Sequence, residues 1–105
     1  MREMTPREYS ALVTAGDAPF LLDVRETWEV AIAAVPGAVH IPMGEIPDRL
    51  AQIPADRDVV VMCKAGGRSM NVARFLESRG YERVINLSGG ILAWSATVDP
   101  AIATY

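Results

Sequence analysis

Cys63 is the one cysteine of the chain, set between the apolar run Val59-Val60-Val61-Met62 and the segment Lys64-Ala65-Gly66-Gly67-Arg68-Ser69, which leads into a helix-patterned stretch. A thiol becomes a nucleophile when its thiolate is favoured, and backbone N–H groups, a helix N-terminus and nearby cations all favour it. Gly66 and Gly67 lack a Cβ, so a loop built on them can take positive φ and aim consecutive N–H groups at a thiolate or a bound anion. The helix N-terminus alone contributes about 0.3–1 kcal/mol at an exposed site, whereas lowering a thiol pKa by two units requires about 2.7 kcal/mol. The remainder must come from loop N–H bonds together with the charges of Lys64 and Arg68. Ser69 stands where its hydroxyl can cap the helix, serve the sulfur, or both. Such a loop supports nucleophilic attack by Cys63, with residues 64–69 cradling the group attacked.

The flanking pattern supplies elements to position that loop. Thr5-Pro6-Arg7-Glu8 has the form of a capping box and predicts a helix from Pro6 to about Ala15, stopped by Gly16. Phe20 to Val24 reads as a short strand. Trp28, Ala31, Ile32 and Val35 fall at helical spacing and predict an amphipathic helix that buries this stripe, ended by Pro36-Gly37. Ala38 to Ile41 follows as a strand, with His40 in a packing role, and Ile46, Leu50 and Ile53 carry a short helical stripe that Pro47 starts or kinks. The unbroken apolar run Val59 to Met62 suits a central strand covered on both faces. After the cysteine loop, Val72, Ala73, Phe75 and Leu76 line one face of a helix that Gly80 caps. Val84 to Leu87 gives another strand, Ser88-Gly89-Gly90 a turn, and Ile91 to Ser95 a last short helix; Trp94, like Trp28, fits a core stripe. This alternation predicts an α/β fold in one domain over residues 1–105, with a mostly parallel sheet of four to five strands and helices on both faces. Ligands of such sheets bind beyond the carboxyl ends of the strands, where Cys63 lies.

Composition narrows the partners. Half of the 105 residues are hydrophobic, 22% are charged and the net charge is -3, with no block of Lys or Arg to attract nucleic acid or an anionic membrane. One cysteine and one histidine cannot furnish a zinc site, so no metal is expected. The first eight residues carry charges where a secretory leader needs an apolar core, and no stretch approaches membrane-spanning length, so the expected location is cytoplasmic.

Taken together, four segments resemble one family. Cys63-Lys64-Ala65-Gly66-Gly67-Arg68-Ser69 is similar to the C-x-x-G-x-R-S active loop of rhodanese-type sulfurtransferases. Asp23-Val24-Arg25 resembles the family's D-V-R, Pro36-Gly37-Ala38 with Ile41-Pro42 its P-G-A-x-x-I-P, and Gly89-Gly90-Ile91-Leu92-Ala93-Trp94 its closing G-G-x-x-x-W. Ala34 stands where the family usually has a histidine, away from the nucleophile. The tail from Trp94 to Tyr105 is similar to the end of rhodanese domains fused behind ubiquitin-activating-like adenylyltransferases. The resemblance implies the three-layer rhodanese fold and a sulfurtransferase in which Cys63 takes a sulfane sulfur from thiosulfate or a protein persulfide. A Cys63 persulfide then yields it to cyanide, a thiol or a sulfur carrier. It further implies that Lys64, Ala65, Gly66, Gly67, Arg68 and Ser69 hold the donor, that Arg25 can face the pocket, that Asp23 orders the surroundings, and that no cofactor is needed. Oligomeric state is left open.

Rival readings are a cysteine phosphatase or arsenate reductase of the same fold, and a non-catalytic docking module. The phosphate-binding loop places five residues between cysteine and arginine, whereas four intervene here. The docking modules typically lack the cysteine, which this chain retains. A peroxide-sensing thiol would lack an internal resolving cysteine.

Overall fold

The computed structural model describes residues 1–105. Five strands form one parallel sheet: β1 (Arg2–Met4), β2 (Phe20–Asp23), β3 (Val39–His40), β4 (Val59–Met62) and β5 (Val84–Leu87), in the order β1-β5-β4-β2-β3. Between them run α1 (Pro6–Thr14), α2 (Thr27–Ile32), a 3-10 segment (Met43–Gln52), α3 (Gly67–Ser78) and, last, α4 (Gly90–Thr97). The mixed architecture and the central place of β4 match the expectation from sequence. The fifth strand, β1, was not foreseen: it is three residues long, two of them charged, and only its pairing of Glu3 with Asn86 and Met4 with Leu87 makes it a strand.

Each face of the sheet has its own core, as the two-residue alternation of strand side chains requires. Leu22, Val59, Val61 and Cys63 face α3 and the 3-10 segment, together with Ile46, Val72 and Leu76. Leu21, Val60, Met62 and Ile85 face the opposite way, towards Tyr9 of α1 and Ile91 and Trp94 of α4. All four residues of β4 are buried, so its unbroken apolar run reflects cover on both sides. The Thr5 capping box forms as predicted, with Thr5 Oγ1 accepting from the Glu8 N–H and Glu8 Oε1 accepting from the Thr5 N–H, both at 3.1 Å. Pro47 lies inside the 3-10 segment, where the chain kinks at Arg49.

One element departs from its pattern. Helix α2 ends at Ile32, and Trp28, 60% exposed, Ala31 and Ile32, 48% exposed, face outward, while Val35, beyond the helix end, is buried. The helix's inward position belongs to Glu29, 2% exposed, a charged residue that no hydrophobic period can assign to the interior. Trp94 does lie in the core, its ring 5.5 Å from that of Tyr9.

Candidate active site

Strand β4 ends at Met62 and delivers Cys63 to the carboxyl edge of the sheet, beside Asp23 at the end of neighbouring β2. The chain then turns back through residues 64–66 into α3. Gly66 makes that turn in the left-handed region, at φ 114°, and its N–H points to the Cys63 sulfur at 3.0 Å. Gly67 is already helical, with nothing near its missing Cβ, so only the first glycine of the pair is needed for the curl. The second glycine pair docks the loop from beneath. The N–H groups of Ile91 and Leu92 donate to the carbonyls of Cys63 and Lys64 at 3.0 and 3.1 Å. A Cβ on Gly90 would lie 2.4 Å from the Cys63 carbonyl oxygen, so Gly90 provides a close approach as well as a turn.

Burial is the largest influence on the Cys63 thiol and pushes its pKa up. The Ser69 hydroxyl and the N–H groups of Ser69, Gly66 and Ala65 outweigh it, so the pKa lies below its ordinary value of 9.0. The Ser69 hydroxyl also lies 2.5 Å from Asn86 Oδ1 and 3.1 Å from the Gly66 carbonyl, and its one proton must choose among these acceptors. Asn86 is oriented by its own donation to Glu3 Oε1 at 3.2 Å, which links the site to the unforeseen strand β1.

The charged residues are arranged differently from the expectation. Arg68 is not free: its Nη1 and Nη2 donate to Glu29 Oε1 and Oε2 at 2.5 and 2.8 Å. The Arg68 guanidinium holds the Glu29 carboxyl at about 2, against an ordinary 4.5. Lys64 rests its ammonium over the Tyr105 ring, 4.6 Å from the centroid. Arg25 is fully buried and clamped on Asp23, with Nε at 3.0 and 3.1 Å and Nη2 at 2.7 Å from the carboxylate oxygens. Its other donors go to the Ala33 and Glu29 carbonyls and to the Tyr105 hydroxyl at 3.0 Å. The Arg25 guanidinium spends its donors on these internal partners and is not turned towards a pocket, which departs from the expectation that it binds substrate. Asp23 accepts from the Arg25 Nε and Nη2 groups and from its backbone N–H. His40 is half-buried, with Nε2 2.6 Å from the Arg25 carbonyl oxygen, a packing position.

Three participants escaped the sequence reading. Glu29 lies between members of the apolar stripe of α2, Asn86 inside a strand, and Tyr105 far from the loop in sequence. Only the capping relation of Glu26 with Glu29 carried any local signal for Glu29, which accepts from the Glu26 N–H at 3.0 Å.

A nucleophile-bearing loop at the carboxyl edge of a parallel sheet, closed by a left-handed glycine and docked on a second glycine pair, defines a cysteine-loop α/β protein. The profile of the rhodanese-like domain matches residues 5–97, and the chain belongs to that family. The Bacillus subtilis protein YtwF is 36% identical over 95% of this chain and 96% of its own length. A protein of Allochromatium vinosum named sulfurtransferase is 45% identical over 79% of this chain and 78% of its own. Among solved structures, a rhodanese-like domain protein from Staphylococcus aureus superposes with a TM-score of 0.87 at 30% identity, covering 100% of this chain and 99% of that one. This kinship supports a transferase of the rhodanese type.

Proposed function

We propose that the protein moves a sulfane sulfur through a persulfide on Cys63, taking it from thiosulfate or a persulfide and giving it to a thiol, to a sulfur-carrier protein or, in the assay tube, to cyanide. The Cys63 thiolate attacks the outer sulfur of the donor; a new S–S bond forms, the donor's own S–S bond breaks, and sulfite or a thiolate leaves with the bonding pair. The acceptor then attacks the outer sulfur of the Cys63 persulfide, and the thiolate is regenerated. The observation that carries this reading is the ring of neutral donors on one sulfur, with the Gly66 N–H at 3.0 Å and the Ser69 and Ala65 N–H groups lowering the thiol pKa. Such donors stabilise negative charge on a terminal sulfur at little reorganisation. Cys63 is the catalytic residue, Lys64 to Ser69 form the binding loop, and Asp23 with Arg25 supports it. The reaction as written needs no cofactor.

Neither cleft of the molecule is lined by Cys63: one of about 180 Å³ lies between the 3-10 segment and α3, one of about 230 Å³ beside Tyr9 and Trp94. The working unit is one domain over residues 1–105, and the location is cytoplasmic. The structure's helices are all too short or too polar to cross a membrane.

The test is intact-mass measurement after incubation with thiosulfate and, separately, with cysteine persulfide. The expected outcome is an adduct of about 32 Da that cyanide removes and that Cys63→Ser abolishes. Absence of the adduct with both donors, or its survival in Cys63→Ser, rejects the reading.

A further inference from the structure

Arg68 is ion-paired inside the protein, and Lys64 rests on an aromatic ring. Arg68 is 32% and Glu29 3% exposed at the side chain, and the pair is bidentate. The carboxylate is itself held in place. Glu29 Oε1 accepts from the Glu26 N–H at 3.0 Å, and Oε2 accepts from the Tyr105 hydroxyl at 2.7 Å. That hydroxyl in turn accepts from Arg25 at 3.0 Å, the arginine clamped on Asp23. Lys64 stays over the Tyr105 ring. A guanidinium engaged through two N–H groups has committed its end-on fork and has its charge offset by the carboxylate, which weakens its grip on a second anion. The ion pair offsets most of the Arg68 charge, which reaches Cys63 only through space, and the groups that hydrogen-bond the sulfur are neutral N–H and O–H donors. With Arg68 paired, Lys64 is the one loop cation without a carboxylate partner, and the cradle offers less to a second negative charge than two available cations would.

We propose that Glu29, steadied by Tyr105, is a specificity-determining residue that withholds Arg68 from dianions, so that the donor this site favours is an alkyl persulfide with at most one charge on its sulfur, rather than the thiosulfate dianion. This rests on the sulfur-transfer reading. In the loading step the Cys63 thiolate bonds to the outer sulfur of RSSH, the S–S bond of RSSH breaks, and RS⁻ leaves with the electron pair and takes up the persulfide's proton.

Glu29→Gln retains the shape and removes the charge, which releases Arg68. The readout is the alkylation rate of the single thiol by iodoacetate, an anion, divided by its rate with iodoacetamide, which is neutral. The ratio is expected to rise about threefold or more in Glu29→Gln and by a smaller factor in Tyr105→Phe. Loading from thiosulfate is expected to speed up relative to loading from cysteine persulfide by a similar factor. Mere damage to the fold exposes the buried thiol and changes both alkylation rates together without raising the ratio; an unchanged ratio or a fall in the ratio overturns the proposal. Tyr105→Phe carries the same test should Glu29→Gln not fold. Alkylation requires no sulfur transfer, so the two readings fail separately. A raised ratio in a protein that loads from neither donor overturns the sulfur-transfer reading and the donor assignment, and leaves Glu29 as a charge gate.

Discussion

Ser69 offers one proton to three acceptors: the Cys63 sulfur, Asn86 Oδ1 and the Gly66 carbonyl. When Cys63 is a thiol the hydroxyl can rest on Asn86, and when it is a thiolate the same proton stabilises the sulfur, so the bond is worth most in the charged state. Ser69→Ala is therefore expected to raise the Cys63 pKa. The pH profile of iodoacetamide alkylation should move to higher pH, with a several-fold loss of rate at neutrality and little change at alkaline pH. A profile that stays in place would assign the lowered pKa to the backbone N–H groups alone. The identity of the nucleophile and of its loop was legible from residue types, because a lone cysteine followed by two glycines, a cation and a hydroxyl is a local pattern. The use of the cations was not. Arg68 and Lys64 are charged wherever they stand, and whether a charge is spent inside or offered outside depends on Glu29 and Tyr105, residues 39 and 41 positions away.

At the level of elements, the loop is a strand end, a left-handed turn and a helix start, resting on the first turn of another helix. The two glycines of the loop and Gly90 beneath it carry unequal duties. Gly67→Ala falls at a helical position with open space around it and is expected to be neutral or stabilising by up to about 1 kcal/mol. Gly66→Ala places a Cβ at φ 114°, which costs about 1–2 kcal/mol and turns the N–H away from the sulfur. Gly90→Ala adds a backbone clash at 2.4–2.6 Å to its left-handed strain and is expected to cost about 2 kcal/mol or more, by urea unfolding. Equal losses in all three would show that the loop does not depend on the conformations described. Most elements could be read from caps, periods and breakers: the Thr5 box, the buried run of β4 and Gly80 at φ 92° after α3. The exceptions are β1 and α2. A three-residue strand has no period of its own, and the inward position of α2 is taken by Glu29, whose partner Arg68 lies 39 residues away, while Trp28 and Ile32 face outward.

Across the whole molecule, the last residues return to the first crossover. Tyr105 joins the Asp23–Arg25 pair to the Glu29–Arg68 pair and packs edge-on against Trp28 at 6.0 Å, so the chain's last segment braces the site. This network has a pH signature. Glu29 has its pKa depressed from 4.5 to about 2 in the folded state, so its contribution is complete above about pH 4.5 and is lost as pH falls towards 2. The thermal midpoint of the wild type is therefore expected to drop more steeply than that of Glu29→Gln below pH 4.5, the two curves converging near pH 2. Parallel curves would deny Glu29 this role. The sequence by itself determined the alternating α/β architecture, the central strand and the nucleophile at its end, because periodicity, caps and glycine turns act over a few residues and are written in neighbouring letters. The tertiary structure alone decided which charges neutralise one another and which remain available. Coulombic pairing acts through space, and the partners of the loop are brought to it from α2, from β1 by way of Asn86, and from the far end of the chain.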